Sequence, residues 1–300
     1  MRLVTYEYLG AVGCGALLDA AVLPVQWLAS AARLDPRDLN RGAGSLKRIL
    51  ELGVEAWEAL AGAIATVDRS HALPVGEVRL LAPISDPDKI LCIGLNYRDH
   101  AEETGMAEPE APIVFAKFRN SLTGPADEIV IPPAATAAVD YEAELAVVIG
   151  RRCRDVSVED AESVIAGVMA FNDVSARDLQ MQTSQWTIGK AIDSFAPCGP
   201  ALVFLDEIED LQGLEVSARV NGQTVQSGST AMMIFSVAEL IAFISSVMTL
   251  EPGDIIATGT PAGVGYTRIP PIAIGPDDLV EVEIEGIGRL ANRLVAAPRD

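Results

Sequence analysis

The sequence is poor in basic residues, and lysine in particular is scarce. Lys and Arg together number 22 against 42 Asp and Glu among 300 residues, which gives a formal net charge of −20. Such a chain repels nucleic acid and anionic membrane surfaces, so we expect neither as a partner. Lysine occurs only at Lys47, Lys89, Lys117 and Lys190. A small anionic substrate would therefore need a bound metal or a few well-placed basic side chains to attract it.

Several catalytic motifs are also missing. The chain has no G-x-S-x-G elbow, no G-x-x-x-x-G-K-[ST] loop and no G-x-G-x-x-G fingerprint, which argues against a serine hydrolase and against a phosphate-binding nucleotide site. Histidine occurs only as His71 and His100. Because zinc prefers His and Cys ligands, a zinc site is hard to build from this composition.

The cysteines give no sign of disulfide bonds. The four cysteines, Cys14, Cys92, Cys153 and Cys198, form no C-x-x-C pair and lie mostly in apolar surroundings. We expect free buried thiols in a reducing cytoplasm. No basic segment followed by an apolar one opens the chain, so secretion is not predicted.

The most hydrophobic window spans residues 231–250 and is long enough to raise the question of a membrane helix. It contains Glu239 and three serines, and Ser236-x-x-Glu239 is a capping box, in which each side chain binds the other residue's backbone N–H. We therefore expect a core helix that begins near Ser236.

The pattern along the chain predicts two unequal domains. Residues 1–75 form a small α/β unit, with a helical Leu and Ala pattern from Leu46 to Ala65, and a Pro-rich connection follows. Residues 76–300 contain short Val- and Ile-rich runs bounded by Gly, Pro, Asn and Asp, which favour a large, mostly β architecture with a few helices. Asn221-Gly222 predicts a tight hairpin turn.

The stretch VDYEAELAVVIG, residues 139–150, places acids at alternate positions. On a strand Asp140, Glu142 and Glu144 would share one face. A solvated edge strand is the ordinary explanation of such a pattern, but the unbroken apolar run that follows predicts burial on both faces. Carboxylates that repel each other at a buried strand end are commonly reconciled by a divalent cation.

Asp173 supplies a candidate third ligand, because it ends another apolar run just before Ser175-x-x-Asp178, a pattern typical of a helix start. Three carboxylates, with waters completing the shell, suit Mg²⁺ or Mn²⁺ better than Zn²⁺.

His100 and Glu103 are three residues apart in NYRDHAEETG, where Asp99 could begin a helix and Gly105 end it. A surface histidine beside a surface acid is one explanation. The other is a dyad in which Glu103 orients His100 and raises its basicity for taking a proton from water.

Three further polar residues are candidates with ordinary alternatives. Lys190, in an apolar and Gly-rich segment, could extend to solvent or hold a carboxylate or enolate oxygen. Arg177 and Gln180 lie one helical turn apart and could face one ligand, although Arg177 could equally form an ion pair with Asp178 or another acid.

From Pro83 to Leu294 the chain resembles the fumarylacetoacetate hydrolase family. The resemblance consists of ordered blocks, which include KILCIGLNYRDHAEE, PIVFAKF, VDYEAELAVVIG, FNDVSARDLQ, QWTIGKAIDSFAPCGP and LEPGDIIATGTPAGVG. It implies a distorted β-roll of mixed sheets with a small N-terminal α/β domain, an α+β fold that is mostly β and commonly homodimeric.

The resemblance also implies roles for single residues. Its metal site corresponds to Glu142, Glu144 and Asp173, with Mg²⁺ or Mn²⁺ as the cofactor. Its catalytic groups correspond to His100 and Glu103 on a mobile lid and to Lys190. Its substrate-contacting groups correspond to Gln180 and Thr260, and we add Arg177 to them.

The activity implied by the resemblance is hydrolysis of a C–C bond in an acylpyruvate-type 2-oxo acid, with a pyruvate enolate leaving. Decarboxylation of an oxaloacetate-like acid and keto–enol isomerisation of a hydroxymuconate-like diacid are alternatives, since both proceed through the same enolate. A protein that binds a metabolite without turnover is a further alternative. Specificity is expected in the lid around Tyr97 to Pro109 and in the loop from Tyr266 to Gly275.

Overall fold

A computed structural model describes residues 1–35, 45–132 and 137–298 of the chain. The first strands are β1 (Arg2–Tyr8), β2 (Ala11–Leu17), β3 (Ala21–Pro24), β4 (Leu73–Pro74), β5 (Arg79–Leu81), β6 (Ile90–Gly94), β7 (Ile113–Lys117), β8 (Leu122–Thr123) and β9 (Ile129–Ile131). The remaining strands are β10 (Val139–Asp140), β11 (Ala143–Ile149), β12 (Ile165–Asn172), β13 (Ser175–Ala176), β14 (Ala196–Phe204), β15 (Glu215–Val220), β16 (Gln223–Ser229), β17 (Ile255–Ala257), β18 (Leu279–Ile284) and β19 (Gly288–Ala296).

The α-helices are α1 (Val25–Ala31), α2 (Leu46–Glu51), α3 (Val54–Ile64), α4 (Arg98–Thr104), α5 (Arg177–Gln180), α6 (Thr187–Lys190) and α7 (Val237–Val247). Short 3₁₀ turns join several of these elements. The predicted mostly-β fold with a few helices is confirmed.

A 12-stranded sheet forms the centre of the molecule, in the order β4-β3-β2-β1-β14-β12-β11-β17-β6-β7, with β5 beside β1 and β8 beside β14. A 5-stranded sheet has the order β16-β15-β18-β19-β9. β10 and β13 pair as a separate two-stranded piece. Most pairs in the large sheet are antiparallel, while β6 and β17 run parallel.

The strands β11 and β12 lie in the middle of this sheet and are buried on both faces. Along β11 the residues Leu145 and Val147 belong to one apolar cluster, whereas Ala146 and Val148 belong to another. This alternation follows from the two-residue period of a strand. The large sheet therefore separates two cores, as the apolar run after Glu144 predicts.

Each core is closed by a different layer. On one face, the inner residues of β15, β18 and β19 and the apolar side of α7 cover the sheet. On the other face, α1, α2 and α3 pack their apolar residues against it. The site described below lies where β11 and β12 emerge between these layers.

Residues 1–75 contribute β1 to β4 to the large sheet, and β1 pairs with β14 through Arg2↔Val203 and Leu3↔Leu202. The division of the chain at residue 75 stays a prediction. The helix predicted from Leu46 to Ala65 is interrupted, since α2 ends at Glu51 and α3 begins at Val54. Gly53 lies between them with φ +86°, a backbone conformation that glycine adopts without strain.

Three local predictions are confirmed. Asn221 and Gly222 both have positive φ and connect β15 to β16, and Ser236 and Glu239 form both hydrogen bonds of a capping box at the start of α7. All four cysteines are buried and free. Among the described residues, no helix is long and apolar enough to span a bilayer.

The short helices predicted near Asp99 and Ser175 are present as α4 and α5, and α4 ends at Gly105 as predicted, but neither Asp99 nor Ser175 is the capping residue. The residue before α4 is Tyr97, and Asp99 lies inside the first turn, where it accepts a hydrogen bond from the His100 N–H. Ser175 does not cap α5, because it lies in β13 opposite Asp140 and donates its hydroxyl to the carbonyl oxygen of Asp173.

The capping box at α7 gives a first testable prediction. We expect Ser236→Ala to lower the free energy of unfolding by about 1 kcal/mol, because the backbone N–H of Glu239 loses its acceptor at the helix end. Urea unfolding followed by circular dichroism measures the change. Ser246→Ala on the same helix is the control, since its exposed hydroxyl bonds a carbonyl of the last turns; equal losses in both variants would contradict the prediction.

Candidate metal centre

The register of β11 and β12 brings three carboxylates together. Glu144 is paired with Phe171 and Ala143 with Asn172. The next residues in this register are Glu142 and Asp173, and the N–H of Asp173 donates to the carbonyl oxygen of Glu142 at 3.0 Å. Alternate residues share a face, which places all three acidic side chains on the same side. One carboxylate oxygen from each lies within 4.8 Å of the others.

All three acids are buried, with Asp173 fully enclosed. Buried carboxylates need positive partners. Lys190 Nζ supplies one, because it lies 2.8 Å from Glu142 Oε2 and 2.7 Å from Asp173 Oδ2. Lys117 supplies another from the end of β7, where its ammonium group contacts Asp173 Oδ1 and donates to the carbonyl oxygen of Val174.

Arg177 adds a third cation at the edge of the cluster. Its Nη1 lies 2.6 Å from Glu142 Oε1 and its Nε donates to Asp140 Oδ2 at 2.9 Å. Asp140 also accepts from the N–H groups of Gly265 and Tyr266. Arg177 is thus paired with acids other than Asp178 here, and Asp140 fastens the loop after residue 264 to the site.

The pKa of Glu142 is lowered and the pKa of Lys190 is raised. Burial raises the pKa of Glu142, but Lys190 and Arg177 outweigh burial and the net pKa lies below its ordinary value. Burial lowers the pKa of Lys190, and its acidic partners reverse that shift. Both groups therefore stay charged at neutral pH.

Glu144 behaves differently. Burial, followed by the charges of Asp173 and Glu142, raises its pKa well above the ordinary value. The N–H of Gly259 donates to Glu144 Oε2 at 3.0 Å, which offsets only part of this repulsion. A divalent cation between the three carboxylates would offset the repulsion that adds to the effect of burial.

His100 and Glu103 form the predicted pair on helix α4. His100 is buried, and its Nδ1 lies 2.7 Å from Glu103 Oε1. The other oxygen, Oε2, accepts from the N–H of Gly263 and the hydroxyl of Thr267. Burial raises the pKa of Glu103, but the hydrogen bonds from His100 and Gly263 bring the net pKa below its ordinary value.

An ionised Glu103 favours the tautomer with a proton on His100 Nδ1, which leaves the Nε2 lone pair as the base. His100 lines a pocket together with Glu142, Glu144 and Lys190. The geometry therefore places one candidate base and the carboxylate cluster around the same space.

The pocket has a volume of about 70 Å³. Besides the groups already described it is lined by Gln180, Thr260 and Tyr266, and by apolar residues that include Met106, Phe115, Met181 and Trp186. A water molecule occupies roughly 30 Å³ in the liquid, so the pocket suits a small ligand.

The structure brings every predicted site residue to this one place. Thr260 is held between strands, because its hydroxyl donates to the Ala143 carbonyl oxygen and accepts from Gln226 Nε2. Gln180 Oε1 accepts from Arg177 Nη1 at 3.0 Å. The catalytic, substrate-binding and metal-binding roles of these residues stay predictions.

Sequence reasoning missed Lys117 and Trp186 as members of the site. Lys117 is one of four lysines and ends an apolar run, as Asp173 does, and this similarity is a signal that could have found it. Trp186 lies in a polar stretch between two short helices, and its neighbours in sequence give no sign of the pocket. Only tertiary packing brings it there.

The donor set fits a hard divalent cation. Three buried carboxylate oxygens can bind Mg²⁺ or Mn²⁺, which prefer oxygen ligands and keep waters in the remaining positions. No His or Cys belongs to the cluster among the described residues, and this argues against zinc. Lys190 contacts two of the carboxylates and would have to give way in part to the cation.

Comparison with known proteins agrees with this geometry. Residues 89–295 match the family described as fumarylacetoacetate (FAA) hydrolase, C-terminal. The human protein named oxaloacetate tautomerase FAHD2A, mitochondrial, is 47% identical over 225 residues, which are 74% of this chain and 71% of that protein.

Two solved structures are similar over nearly the whole chain. Fumarylacetoacetate hydrolase from Exiguobacterium antarcticum is 37% identical with a TM-score of 0.83, and 99% of each chain is covered. Maleylpyruvate hydrolase from Sphingobium sp. SYK-6, in complex with manganese(II) and pyruvate, is 28% identical with a TM-score of 0.80, and 99% of this chain and 100% of that chain are covered.

The raised pKa of Glu144 predicts that metal binding displaces a proton. Below that pKa Glu144 holds a proton that Mg²⁺ or Mn²⁺ must replace, so affinity should increase as the pH rises. In EDTA the same raised pKa stabilises the fold at low pH, and this contribution is lost as the pH rises through it. The increase in Tm caused by the metal should therefore grow with pH.

Calorimetric titration in buffers of different ionisation enthalpy measures the released proton. Glu144→Gln should abolish the release, and Glu142→Gln and Asp173→Asn should abolish binding. Glu159→Gln, an exposed acid with no part in the cluster, is the control. Metal affinity that is independent of pH, or unchanged in Asp173→Asn, would refute the site.

Proposed function

The chain belongs to the fumarylacetoacetate hydrolase family, and on this premise we propose that it is a divalent-metal-dependent enzyme that interconverts the keto and enol forms of a small 2-oxo dicarboxylic acid of the oxaloacetate type. The observation that carries the proposal is the pocket in which His100, oriented by Glu103, lies beside the carboxylates of Glu142 and Glu144 and the basic side chains of Lys190 and Arg177. Mg²⁺ or Mn²⁺ is the proposed cofactor.

The charge around the pocket favours a small anion. Lys190 and Arg177 both line it and are both buried. Arg177 Nη2 and Asp140 Oδ2 form an ion pair at 2.9 Å, but the N–H groups of Nη2 make no hydrogen bond to any of the described residues. Because buried N–H groups are rarely left without an acceptor, a substrate carboxylate would complete the bonding of this guanidinium.

The bound cation would draw electron density from the 2-oxo and carboxylate oxygens and so favour the enolate. Lys190 and Gln180 would orient these oxygens, and Arg177 would hold the second carboxylate. His100 Nε2 would take a proton from C3, and the imidazolium so formed would give that proton to the 2-oxygen, which yields the enol and restores the base. No C–C bond breaks and no water is consumed.

The identities to known proteins favour tautomerisation over hydrolysis. The relative named oxaloacetate tautomerase is 47% identical to this chain, whereas the hydrolase of maleylpyruvate is 28% identical.

Hydrolysis of an acylpyruvate-type C–C bond is the second candidate, because the His100–Glu103 pair is also the arrangement that activates a water molecule. In that reaction water would add to the acyl carbonyl carbon, and the bond to the pyruvate methylene would break. Decarboxylation of oxaloacetate would proceed through the same enolate without water.

We also propose that the protein acts as a homodimer, as the family resemblance implies. We propose that it works in the cytoplasm, because its four cysteines are free. The human relative carries the word mitochondrial in its name, and a mitochondrial location would suit the same reduced thiols.

The assay starts from freshly dissolved enol-form oxaloacetate with Mg²⁺ or Mn²⁺ and follows the loss of enol absorbance, while pyruvate and CO₂ are measured separately. We expect faster ketonisation, suppressed by EDTA, without pyruvate or CO₂. Pyruvate formed from an acylpyruvate without CO₂ would support hydrolysis, and CO₂ from oxaloacetate would support decarboxylation. Oxalate binding without turnover of any of these acids would identify a binder.

His100→Gln should lower the rate by about 10² to 10⁴ because it removes the proton acceptor. Metal affinity should be preserved, since the imidazole lies outside the carboxylate cluster. Glu102→Gln on the same helix is the matched control and should keep full activity. An unchanged rate in His100→Gln would assign the base to another group.

A further inference from the structure

One side of the pocket is apolar, and the ring of Trp186 forms part of it. Trp186 lines the pocket together with Phe115 and Gly94. The rings of Phe115 and Trp186 meet edge to face, with centroids 5.3 Å apart and planes 71° apart. This arrangement is a favourable one for two aromatic side chains and limits the movement of both.

Gly94 makes room for this ring. A Cβ atom at Gly94 would lie 2.5 Å from Trp186 Cζ3 and 2.9 Å from Cη2, closer than any carbon contact permits. The ring therefore packs directly on the backbone at the end of β6. Trp186 is half-buried, with the backbone of Gly94 on one side and Phe115 on another.

The position of Trp186 relative to the cluster is fixed by helix α6. Trp186 immediately precedes this single turn and Lys190 ends it, so the two side chains are four residues apart, a spacing that puts their Cβ atoms roughly 5–6 Å from each other. Gly189 lets α6 approach α5 closely, because a Cβ there would lie 2.5 Å from the N atom of Gln180.

Phe115 connects the two ends of this turn. Its ring contacts Trp186, and Lys190 Nζ lies 5.1 Å from the same ring centroid. Lys190 in turn contacts Glu142 and Asp173. Phe115 therefore connects Trp186, on the apolar side of the pocket, with Lys190 in the charged cluster.

We propose that Trp186 determines substrate length by closing the pocket about one helical turn from the charged cluster, so that small 2-oxo acids enter and longer ones are excluded. This inference rests on the proposed function, because it takes the cluster as the place where the 2-oxo acid head binds. Trp186 contacts the far end of the ligand and takes no part in proton transfer.

Binding of inert analogues tests the inference without turnover. Oxalate, oxamate and N-alkyl oxamates of increasing chain length carry the same chelating head, and calorimetry in Mn²⁺ measures their Kd values. The quantity to compare is the ratio of the Kd for N-butyl oxamate to the Kd for oxamate. A ratio cancels general losses of affinity, which a merely structural role of Trp186 would cause.

We expect the wild-type ratio to be large and Trp186→Ala to reduce it by about tenfold or more, the scale on which a pocket discriminates by one or a few methylenes. Trp186→Phe should keep most of the ratio because a ring remains against Phe115. Ile188→Ala is the matched control, since Ile188 is an apolar residue of the same turn that is 69% exposed and does not line the pocket.

The outcomes separate the two proposals. Oxalate binding to the metal-loaded wild type with an unchanged ratio in Trp186→Ala overturns the role of Trp186 and leaves the proposed function intact. Failure of oxalate to bind the metal-loaded wild type overturns the proposed function and this inference with it. A reduced ratio in Trp186→Ala together with an unchanged ratio in Ile188→Ala supports the inference.

Discussion

The burial of three carboxylates at the end of β11 and β12 is the constraint on which the rest of the site depends. Buried carboxylates this close repel one another. Basic side chains from three other elements form ion pairs with them: Lys117 from β7, Arg177 from α5 and Lys190 from α6. The positive charges do not reach all three acids, because none of the described basic side chains forms an ion pair with Glu144. Burial and the neighbouring acids instead raise the pKa of Glu144, and a dication bound between the three carboxylates would take the place of its proton.

Much of this arrangement could be predicted, because it follows from local patterns. The alternation Asp140, Glu142, Glu144 and the apolar run behind it indicate a buried strand end, and Asp173 after a second apolar run indicates another. The antiparallel register then makes Glu142 and Asp173 neighbours. The tight turn at Asn221-Gly222 and the capping box at α7 were predictable for the same reason, since their hydrogen bonds join residues only a few positions apart.

The features that could not be predicted depend on contacts between distant segments. Ser175 has the sequence of a helix cap, but pairing with Asp140 takes its backbone into a bridge. Trp186 reaches the pocket because Gly94, far away in sequence, lacks a side chain. In each case tertiary packing overrides the local pattern.

The two carboxylate oxygens of Glu103 bind different parts of the molecule. One oxygen orients His100, and the other fastens helix α4 to Gly263 and Thr267. If the helix withdraws from that loop, the same carboxylate returns to water and the imidazole loses its oriented partner. The position of helix α4 and the orientation of the His100 ring are therefore linked through a single carboxylate group, so that neither can change without the other.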